Sequence, residues 1–482
     1  MKAFFQKPFT PLYLLFLAGV FFINIKSTHD WGDDFAQYLH QAKNIVQGIP
    51  QSQTGYIINP DYSLLGPPAY TMGFPLLLSV VYPFFDGNIV AYNYLMSFFL
   101  LLYGLVLFAV LQTQTRKLFA ALAAFILVYL PYLLNFKMEI LSDLPFAVML
   151  NLGVLIYIKG NAKSKYFYLF LSLVSASLLL FRSIGILFPI AVIIALMLEG
   201  NFEKRSLFKS ALAIGISFII YFIVHFWIFE MPKDFLNSST GQFFLAQSLE
   251  TALKNIPYYY QSFFDFFSNS NIWIIKVGIS FAILCCFMGI GIEIRNRQYF
   301  LPLVFVFYLG VLLVYPYQGG GTRFLIPIMG LVLYFQLLSL KWMMAICKWN
   351  PYVMVIPTFV FYCYMNFEQW NDIYKNINVE IFGPQNKATV DAFNYIKLNT
   401  EPNCNILFAK PRALALYTDR NGFANKKTAN ANDIESNISK YHLNYILVNK
   451  WLSDNAIKDY VETRKSSLVW GTEEYSIYKI GN

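Results

Sequence analysis

Charge is scarce in this chain of 482 residues. Only 13% of positions are Asp, Glu, Lys or Arg, while 57% are hydrophobic, against about 25% and roughly 45 to 50% in a soluble globular chain. That deficit excludes a water-facing multidomain protein and makes the bilayer the solvent to reason with. Cysteine is also rare. Of the five, Cys285, Cys286, Cys347 and Cys363 lie in apolar segments and Cys404 stands alone in the polar tail, so neither a disulfide frame nor a Cys/His metal site is available. His29, His40 and His225 lack metal-ligand spacing and read as structural or interfacial, and His442 as a surface residue. The chain has no Walker loop, dinucleotide fingerprint, His-Glu-x-x-His, internal repeat or low-complexity tract. The net charge is +9, but the basic residues cluster between apolar runs, where the positive-inside rule puts them for orientation. Membrane lipids are therefore expected partners and nucleic acid is not.

Apolar runs long enough to cross a hydrocarbon core of about 30 Å fall near residues 9 to 26, 88 to 112, 118 to 135, 143 to 159, 166 to 182, 184 to 199, 208 to 229, 272 to 293, 299 to 316, 323 to 341 and 350 to 366. The first lacks a small-residue cleavage site and leads into Lys26-Ser27-Thr28-His29-Asp30, so it reads as a retained anchor. With the N-terminus inside, Arg116-Lys117 and the clusters at 159 to 165, 204 to 209, 295 to 297 and 341 to 348 all fall on the inner face. An odd number of spans then puts residues 367 to 482 outside, with two long loops at 27 to 87 and 230 to 271.

In the first outer loop, Phe35, Leu39, Ala42 and Val46 are spaced as one helix face, ended by Gly48-Ile49-Pro50, and such a helix can lie flat on the membrane. Gly73 to Phe85 is apolar but too short to span comfortably, which suggests a second juxtamembrane or re-entrant helix. The second loop carries Phe243-Phe244 and Tyr258-Tyr259-Tyr260, suited to the interface. The tail alternates helical and strand patterns: helices near 387 to 398, 412 to 417, 433 to 441 and 454 to 464, strands near 405 to 409 and 444 to 448, and a closing pair at 467 to 470 and 475 to 480. The expected fold class is an all-α polytopic membrane domain of about eleven helices over 1 to 366, with a small extracytoplasmic α/β domain over 367 to 482.

Acids are few in the membrane part, and most gather on the outer side. Asp30, Asp33 and Asp34 open the first outer loop, while Glu139 and Asp143 flank the short connection after the third run. A carboxylate at a helix end avoids the cost of mid-membrane burial, about 2.5 to 3.5 kcal/mol, yet sits close enough to hydrocarbon to be partly desolvated, which raises its pKa and makes it a better base. The plain alternative for Asp33-Asp34 and for Ser142-Asp143-Leu144-Pro145 is helix capping, and both readings stay open. The outer cations are Lys137, Arg182 and Arg323, beside helix ends. Their plain roles are dipole complementation for Arg182 and interfacial anchoring for Arg323. Gln318-Gly319-Gly320-Gly321-Thr322 next to Arg323 could let backbone amides approach an anion.

In their order these pieces resemble the GT-C superfamily of membrane glycosyltransferases, in the branch of protein O-mannosyltransferases and lipid A aminoarabinose transferases. The resemblance rests on Asp33-Asp34 after a first span, with Tyr38 nearby and Gly48 closing the surface helix. It continues in Met138 to Phe146 as the second acidic loop, in Phe181-Arg182-Ser183-Ile184-Gly185 as the basic turn, and in Arg323-Phe324-Leu325-Ile326-Pro327 as the opening of a late helix. The segment from Lys410-Pro411-Arg412-Ala413-Leu414 to Tyr417-Thr418-Asp419-Arg420 is similar to the outer C-terminal domain of bacterial members. The family's acidic pair is usually Asp-Glu, so which of Asp33 and Asp34 does the chemistry stays open.

The resemblance implies inverting transfer of a hexose or pentose from a polyprenyl-phosphate donor to a hydroxyl of a protein, lipid A or glycan, at a bacterial inner membrane. In that reading Asp33 is the base, with Asp34 and Asp143 beside it in the catalytic set and Asp143 orienting the acceptor or sharing the role. Arg182 and Arg323 face the phosphate, and Lys137, Glu139 and Tyr38 bind substrate. A divalent cation held by Glu139 and Asp143 with the first pair is possible but not required. The alternatives are a lipid-linked glycan transporter and a polysaccharide polymerase or ligase. Transporters tend to carry ionisable groups near the bilayer midplane, which these acids do not follow.

Overall fold

A computed structural model describes residues 9–160, 164–199, 204–232, 248–267, 273–315, 318, 320–348, 355–377, 379–464 and 466–481. The chain is mostly helical and divides into two compact units. One comprises Met1–Ile25, Ala91–Val224 and Gln242–Val379, and the other Lys26–Val90, His225–Gly241 and Glu380–Asn482.

Each apolar run is helical over most of its described part, and among the described residues four helices are long and apolar enough by themselves to cross a membrane: Ile89–Leu111, Leu207–Ile228, Trp273–Arg295 and Gly321–Cys347. They make the chain a multi-pass membrane protein. Lys117–Val128, Tyr166–Phe181, Ser183–Leu198 and Phe300–Val314 are apolar but shorter, so length and apolarity alone do not establish eleven crossings. The run at 118 to 135 is broken for a local reason. Pro131 lacks the amide that would continue the ladder, and the chain restarts there as the short helix Pro131–Phe136 with proline in its first turn.

Within the first unit the helices Trp273–Arg295 and Met329–Cys347 pack closely. A Cβ on Gly289 would lie 2.2 Å from the Phe335 carbonyl oxygen, so only a glycine lets the backbones meet. Gly289→Ala is expected to force them apart and lower stability by about 1 to 3 kcal/mol, the usual range for overpacking. Thermal unfolding in detergent would check this, and an unchanged midpoint would count against the tight crossing.

The second long loop is more regular than expected. Tyr258-Tyr259-Tyr260 lie in a helix, Ser248–Phe267, that continues through Pro257, whereas Phe243-Phe244 fall outside the described residues.

In the second unit the tail forms a five-stranded mixed sheet: β1 (Asn405–Leu407), β2 (Asn421–Phe423), β3 (Leu443–Asn449), β4 (Ser466–Gly471) and β5 (Tyr475–Ile480), in the order β2-β1-β3-β5-β4. β1 is parallel to β2 and β3, with Leu407 opposite Phe423 and Ile446, while β3–β5 and β5–β4 are antiparallel. Helices Pro411–Thr418 and Ala431–Lys440 make the crossovers, and Leu407, Phe423, Ile434, Ile446 and Val461 share a core. The expected tail elements are present. The three-residue β2 is an addition, too short to show an alternating pattern.

The first long loop is joined to this sheet. Tyr56 bridges Gly422 in parallel, with Ile57 N–H on the Gly422 oxygen at 2.9 Å and Gly422 N–H on the Gly55 oxygen at 2.8 Å. The loop thus covers the β2 edge, which would otherwise present unpaired backbone groups.

The surface helix runs Asp33–Gln47 and ends on Gly48 in the left-handed conformation, φ 69°. Phe35, Leu39 and Ala42 are buried as expected, but Val46 is exposed and the polar face is covered too. Gln37 donates to the Pro68 oxygen at 2.7 Å, Gln41 exchanges hydrogen bonds with the Tyr70 backbone at 2.8 and 2.9 Å, and Asn44 donates to the Gln53 oxygen at 2.9 Å. The helix is therefore clamped by its own following loop on the side expected to face water. His225 is structural as read, accepting the Met72 N–H at Nε2.

Candidate functional site

Capping does not explain the first acid pair. The surface helix is opened by Gly32, whose amide is held by Asp30 at 2.7 Å, so Asp33 and Asp34 occupy the first turn instead. Asp33 is 7% exposed. Its Oδ1 accepts the Ala413 N–H at 3.2 Å, and its buried Oδ2 has no hydrogen-bond partner among the described residues. Asp34 is held differently: its Oδ1 accepts the Tyr70 hydroxyl at 2.5 Å and Arg412 Nη1 at 3.1 Å.

Arg412, from the tail helix Pro411–Thr418, is the largest fully buried side chain in the protein's described part. Nη1 also donates to the Tyr70 hydroxyl at 3.0 Å and Nη2 to the Pro67 oxygen at 2.7 Å, while the guanidinium lies 4.9 and 5.2 Å from the Tyr56 and Tyr70 ring centres. Tyr38 stacks on Tyr70 at 4.6 Å, as a wall of this cluster.

The two carboxylates therefore differ electrostatically. Burial pushes the Asp33 carboxyl above the usual range, the charge of Asp34 adds to this, and Arg412, Lys410 and the Ala413 amide oppose it without cancelling it. Burial also pushes the Tyr70 phenol well up. Asp34 has a guanidinium and a phenol to neutralise it, whereas Asp33 keeps a bare, desolvated oxygen, a poised proton acceptor.

The first unit holds the second group of expected residues. Asp143 begins the helix Asp143–Lys159 after Ser142, whose side chain makes no capping bond. It is 1% exposed, and its Oδ1 forms a close ion pair with Arg182 Nη1. Arg182 stands at the C-cap of Lys165–Phe181, so it meets both the helix dipole and a carboxylate. The Arg182 and Arg323 guanidinium carbons lie 5.3 and 5.0 Å from the centre of the same Phe324 ring. Asp143, Arg323 and Glu139 all act electrostatically on the Tyr132 phenol, which ties Glu139 to this group.

Two expectations fare less well. Gly320 is left-handed, φ 85°, and the Gly321 N–H is taken by the Tyr258 hydroxyl at 2.8 Å, so that amide already has its acceptor. Gly319 lies outside the described residues. Lys137 is fully buried, bonded to Ser97 Oγ at 3.1 Å and the Asn24 oxygen at 3.4 Å, with no hydrogen bond or ion pair to Asp143, Arg182 or Arg323.

Arg412, Tyr70, Tyr56, Tyr132 and Phe324 were not picked out as site residues from sequence. The tail segment holding Arg412 was noticed, but its partner Asp34 is 378 positions away, and no local pattern reports such a pairing.

No protein-family model matches the sequence, and no curated protein does. Solved structures do. ArnT from Cupriavidus metallidurans bound to undecaprenyl phosphate superposes with a TM-score of 0.60 at 11% identity, over 98% of this chain and 98% of that one. The archaeal oligosaccharyltransferase AglB from Archaeoglobus fulgidus, in complex with an inhibitory peptide and a dolichol-phosphate, gives 0.61 at 12% identity over 92% and 70%. The Archaeoglobus fulgidus oligosaccharyltransferase in complex with Zn and sulfate gives 0.58 at 13% over 91% and 67%. Superposition over 91% to 98% of this chain shows that it has the fold of these solved structures.

Proposed function

We propose that a protein with this fold is a membrane glycosyltransferase, moving a sugar from a polyprenyl-phosphate donor to a hydroxyl acceptor on the outer side of a bacterial inner membrane. The reading includes about eleven crossings, with the N-terminus in the cytoplasm and residues 367 to 482 as the outer tail. The observation that carries it is the buried Asp33 carboxylate with one unbonded oxygen, in a chain whose fold is that of enzymes solved with undecaprenyl phosphate and a dolichol-phosphate.

The acceptor oxygen attacks the anomeric carbon from the face opposite the phosphate. The bond from that carbon to the phosphate oxygen breaks, and its electron pair leaves with the polyprenyl phosphate. The acceptor proton passes to Asp33, and the configuration inverts. A phosphate leaving group needs no strong acid; it needs fixed positive charge, which Arg182 and Arg323 supply at Phe324. Asp143 holds Arg182 in place and orients the acceptor, with Glu139 beside it, while Tyr38 shapes the acid cluster; Lys137, buried against Ser97 and the Asn24 carbonyl, takes no part in the scheme. No step runs through a metal, because Asp143 and Asp34, two of the acids that could serve, already have cationic partners. A transporter reading is disfavoured because Asp33, Asp34 and Asp143 stand in first turns of helices.

The test is transfer by the purified protein from labelled polyprenyl-phosphate sugars to membrane and protein acceptors. Arg323→Ala should lower kcat/KM for the donor by about tenfold or more, the loss of one charge-assisted contact to the departing phosphate. Full transfer by a variant carrying both Asp33→Asn and Asp143→Asn, or no labelled product from the parent with any donor, would refute the reading.

A further inference from the structure

We propose that the C-terminal domain is part of the catalytic apparatus, with Arg412 and the Ala413 amide forming a clamp that positions the acid pair so that one Asp33 oxygen stays unbonded. This inference rests on the glycosyltransferase reading and assigns the tail a role within it.

Both halves of the clamp come from one turn of the tail helix. The Arg412 side chain takes Asp34, and the next residue's N–H takes Asp33. Arg412 is also tied to Tyr70 and to the Pro67 carbonyl, so it fixes the loop that wraps the polar face of the surface helix. Three glycines admit this tail helix. A Cβ on Gly66 would come within 3.0 Å of Arg412 Nη2, one on Gly55 within 3.0 Å of the Ala415 Cβ, and one on Gly422 within 2.3 Å of the Pro411 oxygen. Gly66 and Gly55 are also left-handed, at φ 85° and 65°. The helix is held from the loop side and the sheet side together.

The fork is required, not merely the charge. A planar guanidinium can donate to Asp34, Tyr70 and Pro67 while lying against Tyr56 and Tyr70, and an ammonium cannot reproduce that plane. Released from the clamp, Asp34 would compete for other donors and the first turn carrying Asp33 could shift. A displacement near 1 Å at a reacting group reduces turnover by about a hundredfold. Arg412 touches no reacting atom in this scheme and is a positioning residue.

The experiment compares full-length Arg412→Lys with Arg420→Lys. Arg420 is another buried tail arginine, bonded to Thr400 and the Lys397 carbonyl and not to either acid. Arg412→Lys is expected to lower kcat at least about tenfold with donor and acceptor KM within twofold, whereas Arg420→Lys at a comparable melting temperature should leave kcat per folded protein unchanged. Equal kcat values in the two variants, or an effect of Arg412→Lys confined to KM, would overturn the clamp. Should Arg412→Lys fail to fold, Tyr70→Phe reads the same network, with a severalfold fall in kcat expected and an unchanged kcat decisive against it. A parent protein that transfers no sugar defeats the functional reading itself, a different outcome from an active parent with a fully active Arg412→Lys.

Discussion

Asp33→Asn is expected to lower sugar transfer by about a hundredfold to ten-thousandfold, the range for loss of a positioned general base, while leaving the folded protein at pH 7 as stable as the parent or more so. The two effects have one cause. Burial holds the Asp33 carboxyl above its ordinary range despite Arg412 and Lys410 nearby. The folded-state pKa therefore exceeds the unfolded one, near 3.9. A carboxyl shifted upward adds to stability below the unfolded value, and that contribution is lost as pH rises through the folded one. Wherever the group is ionised, its desolvation weighs against folding. An asparagine removes the charge and keeps an oxygen for the Ala413 amide. Melting curves in detergent should show Asp33→Asn at or above the parent at pH 7, with the gap closing below about pH 4. The acid limb of the parent's pH–rate profile should lie above the ordinary carboxylate value for the same reason. A variant that loses activity only because it melts earlier would remove Asp33 from the role of base.

Arg182→Ala should destabilise the protein by about 3 kcal/mol, the lower end for breaking a buried pair. The Asp143 side chain is 2% exposed and the Arg182 side chain 22%, so the carboxylate is the partner left stranded, and the partial exposure of the guanidinium sets the lower figure. Asp143→Asn removes the stranded charge and should be milder. Combining it with Arg182→Met should give a protein more stable than Arg182→Ala alone, since uncharged replacements at both ends leave no buried charge. Thermal unfolding of the three purified variants measures this directly. Stability of Arg182→Ala equal to that of the parent would mean that the pair holds neither the helix end nor the acid.

The extent to which the site was readable differs between its two groups. Asp143 and Arg182 are each marked by a helix end in a chain poor in charge, but their ion pair was not expected, since the sequence set Arg182 against the phosphate and Asp143 against the acceptor. Asp33 and Asp34 are marked the same way, but the distinction between them is not, because it depends on Tyr70 and on Arg412 far along the chain. The Val46 exposure and the covered polar face of the surface helix were missed for a related reason. Periodicity shows which face is apolar and does not show that Gln37, Gln41 and Asn44 will be satisfied by backbone from the next loop.

What sequence by itself determined is the solvent, the helical character of the apolar runs and the order of the tail elements. These follow from local composition and period, and each is set by neighbours within a few turns. Tertiary structure alone decided which carboxylate is neutralised and which keeps a bare oxygen. A buried ion pair depends on low dielectric and on a guanidinium arriving from a distant segment, and neither is a property of the residues beside the acid.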